Sequence, residues 1–431
     1  MTTIEIYSIL LHEEELLITH KKGLYKTIMD TIGKVCYDII KHCNVGYDDF
    51  QDFGQLDELI DMVYITVIPF FTEEEKEKED FEMSLRLCIT KELMRRTPEK
   101  QPCITNEELV EINKQIEVLK GKPQPEQRSE EWYAFRKQRL TASDFATALN
   151  KNPYSDRKAL LRKKAGENQP FHSGAAIFHG VKYEDVAISV YEERNRVLVK
   201  EYGCIPHPTL PFIGASPDGI CDTISENKQY VGRMLEIKCP RSRELNGTVP
   251  EYYYYQVQGQ LEVCELEYCD FLQCVIREFP EDDFWSDVGK RNNHSYCKNG
   301  NEKGVLIEYY DTKKEKDSFY YYPRCTQSTK NSINMWINET IDKILDEDNE
   351  FCSVKYWKMC EYDCILVKRD RKLWKWMEEE LGKFWDEVLH YQKVGYESLK
   401  SQKKIKANKT EYWEKEVNSM VFQPETDEEE I

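Results

Sequence analysis

The sequence predicts an α/β protein, and three observations carry that prediction. Met234-Leu235-Glu236-Ile237-Lys238 alternates apolar and charged residues with period two, the pattern of a strand with one buried face. Cys269 to Ile276 reads as a second strand, and Val305–Tyr310 with Ser318–Tyr322 as a hairpin around the charged turn 311–317. Around these segments apolar residues recur at helical spacing. Leu56, Leu59, Ile60, Met62 and Val63 form one such stripe, and Leu109, Ile112, Ile116 and Leu119 a second. Ile333, Trp336, Ile337, Ile341 and Ile344 form a third, and Trp374, Met377, Leu381, Trp385 and Leu389 a fourth.

A chain of 431 residues has room for two or three domains. The segments divide as a helical accessory domain (1–122), a central core (126–325), a C-terminal helical region (326–415) and an acidic tail (416–431) expected to be disordered. The formal net charge is -19, so broad electrostatic coating of nucleic acid is excluded and any such contact needs a local basic channel. The start has no basic segment before an apolar one, and no apolar run reaches the ~18 residues of a membrane span. The expected location is therefore intracellular, with no membrane partner. The 15 cysteines then read as reduced thiols, and Cys352, Cys360 and Cys364 lack the spacing of a zinc or iron–sulfur site.

The N-terminal segment carries no catalytic motif and reads as a platform. Gly121-Lys122-Pro123-Gln124-Pro125 is a linker. Ser129, with Glu131 and Trp132, suits a helix start. Thr141 and Ser143 suit the N-cap of a following helix, residues 143 to 150. Unpaired backbone N–H groups there, with Arg136 nearby, can hold a phosphate.

The chemistry concentrates between Gly214 and Pro240. Asp218 occupies a Pro-Asp-Gly turn, and period two places Glu236 and Lys238 on one face of the next strand. Two carboxylates facing one point suit a hard divalent cation such as magnesium. The lysine adds a fixed positive charge that can orient a water or stabilise charge on a phosphate. A turn aspartate beside a solvated strand face is the bland alternative, and the neighbouring motifs decide between them.

The Asp…Glu-x-Lys constellation resembles the PD-(D/E)XK nuclease superfamily. Arg136 with Thr141-Ala142-Ser143, then Asn152-Pro153-Tyr154 and the basic helix 157–164, are similar to the opening of the lambda-exonuclease or YqaJ-type viral recombinase family. Gly180 to Glu184, Ser216-Pro217-Asp218-Gly219, Leu235 to Pro240, and Tyr252 to Leu261 follow in the family's order across roughly residues 127 to 280. The resemblance implies a restriction-endonuclease-like mixed central sheet flanked by helices, with helical N- and C-terminal additions. It implies that Asp218, Glu236, the Ile237 carbonyl and Glu184 ligate magnesium, with manganese as a substitute. Lys238 would position the attacking water, and Gln256 would support Lys238 or the scissile strand. Arg136, Ser143 and Ser216 would grip a 5′-terminal phosphate. Where the family has an arginine after the lysine this chain has Glu244, and Arg241 or Arg243 would take its place.

The function so implied is a magnesium-dependent exonuclease of a large DNA virus, acting on linear duplex ends in the 5′-to-3′ direction in recombination, repair or replication. A single-strand annealing protein and a ring-shaped homotrimer belong to the same implication, as does a host cytoplasmic or nuclear location. An endonuclease or single-strand nuclease on the same fold is the alternative, and a non-catalytic DNA-end-binding scaffold another. The tyrosines at 252–255 and in the hairpin read chiefly as packing groups. Lys400 to Lys409 is a basic segment that could lie near DNA.

Overall fold

The computed structural model describes residues 22–42, 53–77, 81–96, 101–123, 125, 129–167, 175–313, 318–323 and 328–399. The basic segment 400–409 and the acidic tail lie outside the described residues.

Three helices come first: α1 (Lys22–His42), α2 (Phe53–Val67) and α3 (Phe81–Arg95). Their apolar stripes meet in a core of their own that includes Ile32, Cys36, Leu59, Val63, Ile89 and Leu93. The next helix, α4 (Asn106–Gly121), opens on a capping box in which Thr105 and Glu108 satisfy each other's backbone N–H groups. Although expected with the accessory domain, α4 buries Leu119 in the central core. Its Gln115 also donates to the Cys264 carbonyl at 2.7 Å.

The central region is a mixed α/β structure, as the sequence predicts. In chain order it runs α5 (Glu130–Lys137), β1 (Leu140–Thr141), α6 (Ala142–Ala148), α7 (Arg157–Ala165) and α8 (Ala175–Asn195). There follow β2 (Val199–Lys200), β3 (Ile205–Pro206), β4 (Ile213–Ala215), β5 (Gly219–Cys221), β6 (Met234–Lys238), α9 (Glu251–Cys264) and β7 (Tyr268–Glu278). The chain continues through α10 (Glu281–Ser286), β8 (Lys303–Tyr310), β9 (Ser318–Tyr321), α11 (Lys330–Asp346), β10 (Glu350–Lys368) and α12 (Arg371–Val394).

The large sheet has the order β2-β5-β6-β7-β10-β8-β9, and a small one the order β1-β4-β3. In the large sheet β6 and β7 run parallel and the other pairs antiparallel. The expected hairpin is β8–β9. Its Tyr309 and Tyr321 stack on each other, ring centroids 4.9 Å apart, over the cluster that also takes Ile333 and Ile337 of α11.

Two expectations need correction. The region 326–415, read as helical, contributes β10, which pairs with both β7 and β8, so the large sheet continues past residue 325. Cys352, Cys360 and Cys364 are residues of that strand. Second, β6 is not a strand with one solvated face. Leu235 and Ile237 pack beneath α8, against Tyr183 and Val190, while the opposite face is covered by α9. Glu236, on the covered charged face, is fully buried.

Gly259 lets α9 approach closely: a Cβ there would collide with the Phe145 ring of α6. The apolar side of α12 (Trp374, Met377, Leu381, Phe384, Val388) closes the same core. Its first turn is capped by Asp370, which accepts from the Lys372 and Leu373 N–H groups. Among the described residues no helix is long and apolar enough to cross a membrane.

Candidate active site

The site is built where β5 and β6 pair. Gly219 lies opposite Leu235, which carries Asp218 beside Ile237. The Asp218 carboxylate accepts the Ile237 backbone N–H at 2.6 Å, and the Asp218 N–H donates to the Leu235 carbonyl at 3.2 Å. These two bonds fix the turn aspartate at the strand. Burial pushes the Asp218 carboxyl well above the usual carboxylate range, and the charges of Glu236 and Glu184 push it the same way. Glu184, one turn beyond Gly180 on α8, is thus near enough for its charge to act on Asp218.

Glu236 is a buried carboxylate and needs donors to stay charged. It has three. Lys238 pairs with it across the strand, Gln256 Nε2 donates at 2.7 Å and Gln260 Nε2 at 2.6 Å. Burial alone would lower the Lys238 pKa. The Glu236 and Asp218 carboxylates outweigh burial and raise it, so the ammonium stays charged. Its Nζ also lies 4.8 Å from the centre of the Tyr253 ring.

Gln260 was not singled out as a site residue, although it follows Gln256 by four residues and so shares its helix face. Its Nε2 also donates to the Ser216 carbonyl at 3.1 Å, while its Oε1 is buried without a hydrogen-bond partner.

A second cluster lies at the other end of the Ser216–Asp218 segment. β1 pairs in parallel with β4, Thr141 opposite Gly214, which brings Ser143 and Ser216 to the same edge. The Arg136 guanidinium donates to Ser143 at 3.2 Å and to Thr141 and Ser216 at 3.3 Å. It stacks over Trp132 with 4.3 Å to the ring centre. Lys164 pins the loop from below, donating to the Arg139 carbonyl at 2.6 Å and pairing with Asp144 at 2.9 Å. Burial would raise the Asp144 carboxyl, but Lys164 and Thr141 outweigh it and hold it low. Of the two capping candidates Thr141 is the N-cap, and α6 spans Ala142–Ala148 rather than 143–150, so the groups gathered here are a guanidinium and hydroxyls rather than a long helix end.

Residues 131–267 match the family model of the YqaJ-like viral recombinase domain. Proteins similar to this chain occur in large DNA viruses. The uncharacterized protein R354 of Acanthamoeba polyphaga mimivirus is 37% identical over 306 residues, 65% of this chain and 55% of that protein. Protein D345L of African swine fever virus (strain Badajoz 1971 Vero-adapted) is 30% identical over 163 residues, 32% of this chain and 47% of the relative. The chain thus spans about half the length of the curated relatives it matches. Among solved structures, LHK-Exo in complex with dAMP covers 68% of this chain and 100% of its own, at 20% identity and a TM-score of 0.35. The alkaline exonuclease (LHK-Exo) from Laribacter hongkongensis has the same coverage, at 19% identity and a TM-score of 0.36.

The loop after β6 separates the two candidate arginines. Arg243 donates to Gln273 at 2.7 Å, and Gln273 is the β7 residue opposite Lys238. Arg241 is exposed, with its carbonyl bonded to Arg277. Glu244 turns away to pair with Lys34 of α1 at 2.7 Å. Of the two, Arg243 is thus the one tied to the β7 residue opposite Lys238.

The donors Asp218, Glu236 and Glu184 are hard oxygens, the type magnesium takes. They fit such an ion in kind, and a cation would favour the ionised Asp218 that its two acidic neighbours disfavour. Among the described residues no three His, Cys, Asp or Glu side chains converge as a ready-made metal cluster. The Glu236 oxygens are instead occupied by Lys238, Gln256 and Gln260.

Proposed function

We propose that this protein is a magnesium-dependent deoxyribonuclease that digests one strand of linear duplex DNA from a phosphorylated 5′ end. One observation carries the reading: the segment Ser216–Asp218 joins an acid–lysine cluster to an arginine–hydroxyl cluster, bridged by Gln260. A guanidinium with hydroxyl partners suits a terminal phosphate. Two acids and a half-buried lysine a few residues away suit hydrolysis of the adjacent phosphodiester. An end grip that close to the cutting groups favours removal of terminal nucleotides over internal cutting.

Held by Asp218, Glu236, Glu184 and the Ile237 carbonyl, magnesium or manganese would polarise a phosphoryl oxygen and lower the pKa of its water. The chain's own groups do the rest. Glu236 and Asp218 keep Lys238 cationic, so a fixed positive charge stands beside the reacting phosphate. Gln256 and Gln260 hold the Glu236 carboxylate in one orientation. Arg136, Ser143 and Ser216 set the register of the strand. The 3′ overhang left behind is a substrate for a single-strand annealing protein, and a closed homo-oligomeric ring would keep the enzyme on its strand.

The test is a time course on linear duplex DNA with magnesium, one end labelled, with and without a 5′ phosphate. Progressive loss of the phosphorylated strand is expected, and Lys238→Ala should slow it by about 100- to 1,000-fold. Asp218→Ala should abolish turnover and spare binding. Cutting of closed circles would favour an endonuclease, and no digestion by the wild type a binding scaffold.

A further inference from the structure

Tyr154 is 79% exposed on the loop between α6 and α7, yet it is held in place. Its backbone N–H donates to the Asn152 side chain at 2.9 Å, and Asn152 is tied to Thr147 at 3.0 Å. Its ring meets Tyr252 edge to face, centroids 5.4 Å apart. Tyr252 packs on Tyr253 at 4.3 Å, and Tyr253 reaches Phe271 at 5.6 Å and the Lys238 ammonium at 4.8 Å. The three rings form a ladder from solvent to the catalytic lysine. Burial and the neighbouring Tyr253 push the Tyr252 hydroxyl up to about 12, and the charge of Arg243 offsets this only in part.

Packing explains the inner two rings, which contact the core, and leaves the outermost unexplained. A large aromatic kept mostly in water loses burial energy. This one is fixed by an Asx turn, so it has also given up freedom. A rigid exposed aromatic at the outer end of a ring ladder that leads to the proposed phosphodiester site has the chemistry of a nucleobase platform.

Resting on the proposed nuclease function, we infer that Tyr154 stacks against a nucleobase of the DNA within one or two nucleotides of the scissile phosphate. The base must be terminal or unpaired, because inside a duplex both its faces are covered by neighbours. Tyr154 is thus a positioning residue that selects an opened strand end. Stacking of this kind accepts any base, which suits digestion without sequence preference.

The experiment uses the full chain with Asp218→Asn to block turnover, and linear duplexes carrying 2-aminopurine at the first or second nucleotide of the 5′ end. Binding should quench the fluorophore. Tyr154→Phe should preserve the quench, whereas Tyr154→Ala should abolish it and weaken end binding about 10- to 100-fold. With Asp218 restored, Tyr154→Ala should raise KM on duplex ends with little change in kcat. An unaltered quench and affinity in Tyr154→Ala would overturn the platform, as would no binding of DNA by the Asp218→Asn chain. If the wild type digests DNA while the platform fails, the nuclease reading stands. If the wild type digests nothing, that reading falls, and the quench alone decides the platform.

Discussion

At the scale of single residues, His207 shows how position outside the site sets behaviour in solution. Its ring stacks on Trp374, centroids 5.8 Å apart, and is 8% exposed. Nδ1 accepts the backbone N–H groups of Thr209 and Leu210, each at 3.1 Å, so the neutral ring carries its proton on Nε2. Protonation would have to break both bonds. Burial, with the charge of Lys122 adding to it, pushes the pKa down to about 4. The unfolded chain binds this proton as the pH falls through ~6.5, and the folded one does not. Stability contributed by His207 is therefore complete above ~6.5 and lost progressively toward about 4, by up to about 3 kcal/mol. Urea unfolding midpoints should fall between about pH 7 and pH 5, and His207→Phe should remove that part of the slope. An identical slope in the variant would refute the assignment. The site residues were more readable than this histidine because they recur as motifs. Asp218, Glu236 and Lys238 stand at spacings that strand geometry alone brings together. The burial of Glu236 could not be read there, because the local pattern of β6 carries no information that α9 covers its charged face.

At the scale of elements, the helices α1–α3 bear on the loop that carries Arg243. Arg96, 7% exposed, donates from Nε to the Asn246 carbonyl at 2.9 Å and pairs with the buried Glu92. The Tyr37 ring packs with Leu245 and Val275 and lies against Gly247. Removing one member of a buried pair leaves an uncompensated charge, and Arg95, largely exposed, compensates only in part. Arg96→Met should cost about 3 kcal/mol in a denaturant titration. With the loop no longer held at Asn246, KM for DNA should rise several-fold. A stability loss with KM unchanged would show that the helices brace the fold without acting on the loop. Helices of this kind are legible from their stripes, and so is a hairpin such as β8–β9. β10 was missed for a physical reason. Its register shifts between Phe351 and Ser353 and again between Met359 and Glu361. Each irregularity reverses which parity faces which layer, so no single period-two pattern spans the strand.

At the scale of the whole molecule, the proposed function requires a chain with 79 acidic residues against 60 basic ones to admit a polyanion. Around the candidate site the cations are few: Arg136, Lys238, Arg243 and the exposed Arg241. Each phosphate neutralised by such a group releases condensed counterions, and the logarithm of affinity falls with the logarithm of salt in proportion to their number. Few contacts mean a shallow dependence, with a slope between about -2 and -4 for duplex ends. The surrounding acidic surface adds repulsion wherever DNA strays from these cations, so internal duplex should bind much more weakly than an end. Anisotropy titrations of the Asp218→Asn chain against end-labelled duplex, across a range of salt, would measure the slope. Arg136→Gln should reduce its magnitude by about one and erase the preference for a 5′ phosphate. A slope steeper than about -6 would require a second cationic surface and a much wider footprint on the duplex.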